Sequence, residues 1–76
     1  MTGQELCQAL LDHVVVELPH ERDAALSLAA MVTFHPEEIG FFVSEAVLLL
    51  IRNERPVPAH LLDEVNQRML AGTARP

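Results

Sequence analysis

Four histidines and eleven acids are the residues of this 76-residue chain with the widest chemical reach. His13 and Glu17 are four apart, as are His60 and Glu64. On helices that spacing puts both side chains of a pair on one face, where they can share an ion. Two such helices side by side would offer two imidazoles and two carboxylates. The hydropathy pattern counts against this use, because all four residues lean towards the polar faces of their helices, where such pairs are ordinary. Glu17 and His20 have the spacing of di-iron ligands in helical bundles, but Pro19 breaks the helix between them. Neither an HExxH motif nor a paired CxxC occurs. No cofactor is expected, and His13, Glu17, His60 and Glu64 are the candidates should a metal be bound.

Cys7 is the only cysteine. It lies near a helix start, where thiolate character rises, yet it shares an apolar stripe with Leu10, Leu11 and Val14. That is the setting of a buried structural thiol. No serine or cysteine has an identifiable base and orienting acid, so the chain is not read as an enzyme. Glu45 alone sits inside an apolar run; it is read as that helix's wet edge, the alternative being a partly buried acid of raised pKa.

The elements that position these residues are helical. Thr2 and Glu5 have the spacing of a capping box, followed by Leu6, Cys7, Leu10, Leu11, Val14, Val15 and Leu18 at helical intervals. The β-branched run Val14 to Val16 leaves a short strand as a minor alternative. Pro19 closes this helix. A second helix is predicted over His20 to Phe34, with Leu28, Met31 and Val32 as its large core residues and four alanines permitting close approach. His35-Pro36-Glu37-Glu38 is a restart signal. The third helix then runs to about Asn53, with Ile39, Phe42, Val43, Ala46 and Leu50 in one row, and Gly40 suggests close packing against a neighbouring backbone. Pro58 opens a fourth helix, Ala59 to about Ala71, with Leu61, Leu62, Val65 and Met69 as its stripe and Gly72 as terminator. The fold class is all-α, a compact four-helix domain over residues 1–72 with a short tail at 73–76. The third helix is expected to be its centre or the seam between two copies.

That third helix dominates the reading. Ala46 to Ile51 are six apolar residues in succession, which leaves the helix no polar face, and a helix apolar all round is normally buried all round. A chain this short buries only about 60% of the surface it exposes when unfolded. Half of its residues are apolar and its mean hydropathy is +0.22. A second molecule is the simplest source of cover. Phe41, Phe42, Leu48, Leu49 and Ile51 are therefore expected to carry self-association.

Charge points to the kind of partner. Residues 1–45 hold eight acids against Arg22 alone, and the remainder is nearly balanced, for a net charge of −6. Such a surface repels phosphate and favours basic partners. Glu17, Glu21, Asp23, Glu37 and Glu38 are the acids expected to meet a basic protein surface. A helical DNA-binding regulator is the alternative, but the fourth helix offers a groove only His60, Asn66, Gln67 and Arg68, with Asp63 and Glu64 opposing phosphate. The lone thiol suits a reducing, cytoplasmic setting. The N-terminus lacks the basic start of an export signal, and the longest apolar stretch is well short of the roughly 20 residues that cross a bilayer. In size and charge the chain resembles small bacterial or phage regulators, inhibitors and adaptors that act by occluding another protein.

Overall fold

A reciprocal cap starts the first helix. The Thr2 hydroxyl accepts a hydrogen bond from the Glu5 amide at 3.1 Å, and the Glu5 carboxylate accepts one from the Thr2 amide at 2.7 Å. The amide bond, and then the hydroxyl, hold the Glu5 carboxyl below its usual range. The cap therefore supports the fold at neutral pH and weakens in acid as Glu5 takes up its proton. Behind it, α1 runs Gly3–Glu17 in a computed structural model that describes the backbone of residues 1–73 and the side chains of residues 1–68. Val14 to Val16 are helical, so the strand alternative falls away.

Each proline restart is made through one turn of 3-10 helix. Pro19–Glu21 leads into α2, Arg22–Phe34, and Pro36–Glu38 leads into α3, Ile39–Arg52. The Pro58 carbonyl accepts from the Leu61 and Leu62 amides to open α4, Ala59–Thr73. This last helix runs through Gly72, which is helical rather than a terminator. Beyond Thr73 the expected tail lies outside the described residues. The chain is an all-α, four-helix domain without a strand among the described residues. No helix among the described residues is long and apolar enough to cross a membrane.

The helix that the others share is α1, not α3. It packs on α2, α3 and α4 and contributes Leu6, Cys7, Leu10, Leu11 and Val14 to the core, with Leu18 just past its end. In turn, α3 contributes Phe42, Val43, Ala46, Leu49 and Leu50, while α4 adds Leu61 and Val65. Gly3, not Gly40, marks the close approach. A Cβ on Gly3 would lie 3.3 Å from the Ile39 side chain, whereas one on Gly40 would meet nothing within 4 Å. The molecule measures 41 × 28 × 19 Å. A helix with its side chains is about 10–12 Å across, so the shortest dimension is only two helices deep.

The C-terminal end of α3 is closed by a Schellman arrangement. The Glu54 amide donates to the Ile51 carbonyl at 3.0 Å and the Arg55 amide to the Leu50 carbonyl at 2.9 Å. Glu54 takes the left-handed conformation that this motif needs, with φ of 57°, at a position where glycine is usual. A side chain there costs roughly 1–2 kcal/mol. Glu54→Gly is expected to stabilise the domain by about 0.5–1 kcal/mol, after allowing for glycine's extra freedom when unfolded. Thermal denaturation checks this: the midpoint should rise by about 2–8 °C, and a midpoint that falls would contradict the left-handed cap.

Candidate functional surface

Helix α3 is apolar on all sides apart from Ser44, Glu45 and Arg52, and the fold divides its apolar residues in two. Phe42, Val43, Ala46, Leu49 and Leu50 face α1 and are buried. On the opposite side Phe41 remains 58% exposed, Leu48 44% and Ile51 58%. Of the five residues expected to carry self-association, Phe42 and Leu49 thus belong to the chain's own core, and Phe41, Leu48 and Ile51 are at the surface. Ser44 lies in the same outer row, and its hydroxyl donates to the Gly40 carbonyl at 3.1 Å. The row can therefore be covered without stranding a polar group.

The helix α2 is the unexpected second apolar surface. Only Ala25 is buried; Leu28, Ala29 and Val32 are partly so. Met31, a core residue by its spacing, is exposed, as are Leu26 and Phe34, the last at 77%. The reason is geometric: among the described residues α2 packs chiefly on α1 and α3, from one side. The signal in the sequence is a helix apolar on most of its circumference, with Asp23, Ser27 and Thr33 its only polar breaks after Arg22.

The acids expected on one face form two corners instead. Glu17, Glu21 and Asp23 lie where α1 turns into α2, and Glu37 and Glu38 where α2 turns into α3. The 13 residues of α2 separate them, roughly 20 Å at 1.5 Å per residue. All but the half-buried Glu21 are exposed.

The two His–Glu pairs are not gathered into one site. His13 Nε2 lies 4.0 Å from Glu17 Oε1 along α1, and no group of three or more potential ligands among the described residues includes either of them, His60 or Glu64. The one such group is His35, Glu37 and Glu38, all exposed, with His35 Nδ1 3.5 Å from Glu37 Oε1. His20 instead makes a structural contact. Its Nε2 pairs with the Asn53 side-chain oxygen at 2.9 Å, while the Asn53 side-chain Nδ2 donates to the Leu49 carbonyl at 2.7 Å. This ties the α1–α2 corner to the end of α3, a contact between residues 33 apart that no local pattern reveals.

A cleft of about 200 Å³ opens between α1, α3 and α4, lined chiefly by Ile39, Gly40, Val43, Ser44, Val65 and Arg68. Its polar groups are already engaged, Ser44 as above and the Arg68 guanidinium on the Met1 carbonyl at 2.6 Å. Arg68, the base that α4 could offer a phosphate, thus also braces the N-terminus. No family model, curated protein or solved structure matches this chain.

Cys7 is 1% exposed, and burial pushes its thiol pKa up. The protonated, enclosed thiol is a poor nucleophile. Native protein is accordingly expected to resist a thiol-specific reagent at neutral pH until denaturant is added, with labelling followed by absorbance; full labelling of folded protein within seconds would contradict the packing of α1.

Proposed function

We propose that this protein is a non-enzymatic helical module that binds other proteins and pairs with a second copy of itself through the outer stripe of α3. The observation that carries the reading is the exposure of Phe41, Leu48 and Ile51 on the side of α3 opposite its core row. Fully burying a side chain of this kind is worth about 1.5–3 kcal/mol. Three side chains left roughly half-exposed therefore hold several kcal/mol per copy that only a partner surface can recover. A group of large apolar side chains on a small domain marks such contacts.

The acidic corners suit the second part of the reading. Glu17, Glu21 and Asp23 at one end of α2, and Glu37 and Glu38 at the other, would steer a basic protein surface towards the apolar face between them. The mechanism is occlusion or recruitment, as a regulator, inhibitor or adaptor, with no bond made or broken. A cytoplasmic setting agrees with one buried, unpaired thiol.

Leu48→Glu separates association from folding. Leu48 is already half-exposed, so its replacement should cost about 1 kcal/mol, well short of unfolding the domain. Light scattering should report a dimer for the natural protein at about 10–100 µM and a monomer for the variant, with unchanged helix content by circular dichroism. Leu49→Glu, one residue along, should unfold the domain. A natural protein that stays monomeric across that range would overturn the self-association.

A further inference from the structure

The outer row of α3 carries a pattern that specifies how two copies meet. Phe41, Ser44, Leu48 and Ile51 follow one another at intervals of three, four and three, the spacing of a helix-pairing seam. One flank of the row carries Glu38, Glu45 and Arg52 at intervals of seven. The other flank carries Gly40 and Val47, with no charge of α3's own, and Arg68 of α4 borders it beside Gly40 and Ser44. Glu38 and Arg52 are exposed, and among the described residues neither has an oppositely charged group within 4.0 Å. At the ends of the same segment stand Glu37 and Arg55, also exposed.

We propose that two copies pair α3 against α3 in antiparallel fashion about a twofold axis, with Glu38 of each facing Arg52 of the other. The proposal rests on the self-association reading above and gives it a register. A twofold axis perpendicular to the helix pair places each flank against the same flank of the second copy. The row then meets itself across the axis. Phe41 lies across from Ile51 of the second copy, and Leu48 across from Ser44, whose hydroxyl is already satisfied within its own helix. Val47 meets Val47 on the uncharged flank. Glu38 meets Arg52 on the other flank, twice by symmetry. The antiparallel dipoles of the two helices also oppose. One contact is unfavourable: Glu45 approaches its own counterpart near the axis. A parallel pair would instead set the charged flank against the uncharged one and Glu37 against itself.

A standard interface takes about 800 Å² from each partner, roughly a sixth of this chain's 5049 Å². One helix face supplies less, so the affinity should be micromolar rather than nanomolar.

Sedimentation equilibrium from about 1 to about 500 µM at low salt tests the arrangement. Glu38→Arg and Arg52→Glu should each weaken the dimer roughly tenfold, because each reversal turns two attractive pairs into two repulsive ones. The double reversal should restore the natural affinity to within about threefold, and Glu45→Gln should tighten it about threefold by removing the like-charge contact. Circular dichroism verifies that each variant is folded. If the natural protein dimerises but neither single reversal matters, the antiparallel pairing is wrong and self-association stands. If Leu48→Glu leaves the dimer intact, the seam lies elsewhere and the proposal is overturned. If the natural protein is monomeric throughout, both the pairing and the reading beneath it are overturned.

Discussion

The constraint behind this molecule is its depth. At 19 Å in its shortest dimension, the domain is two helices thick, and a helix in a two-layer stack can bury one side and part of its flanks. For α1 this is sufficient. Except for Val16, which stays 76% exposed, its large apolar residues lie on one broad stripe, and α2, α3 and α4 cover it between them. For α3 it is not, because apolar residues occupy both the side that meets α1 and the side that does not. The division between Leu49, in the core, and Leu48, at the surface, follows from 76 residues arranged around a different helix.

The rest of the fold serves that arrangement. The capping box fixes where α1 begins, and Gly3 lets its first turn approach Ile39 closely. Pro19 and Pro36 end one helix and start the next through single 3-10 turns, which keeps the connections short and the helices adjacent. His20 and Asn53 then join the first corner to the end of α3 across the molecule. Glu54 holds a left-handed conformation so that α3 can stop and turn towards α4. These contacts set the orientation of α3 about its own axis, and with it which residues face outward.

Much of the architecture is legible in the sequence because it is written in local patterns. Thr2 with Glu5, the Leu18-Pro19 and His35-Pro36 junctions and the helical spacing of Leu6, Leu10 and Val14 each act within a few residues. The row of Ile39, Phe42, Val43, Ala46 and Leu50 is recognisable as α3's inward side for the same reason. What local pattern does not encode is which helix the others pack around. That depends on tertiary contacts, which is why Phe42 stands both in the inward row and among the residues expected to self-associate, Leu49 is expected at the surface and Met31 in the core. An apolar residue on a helix that is apolar all round gives no clue to its facing. The acids suggest one face because their number is visible along the chain, whereas the length of α2 holds them apart in space. Gly40 misleads because a glycine in a helix signals either close approach or open space, and only the neighbouring atoms distinguish the two.

A single copy leaves the outer side of α3 uncovered, and in the proposed assembly a second copy covers it. Methyl resonances of Leu48 and Ile51, followed by nuclear magnetic resonance as the natural protein is concentrated, test this most directly. They should shift progressively and saturate together, while those of Leu50, enclosed in the core of each copy, stay in place. Leu48 and Ile51 signals that remain fixed from dilute to concentrated solution would contradict the pairing.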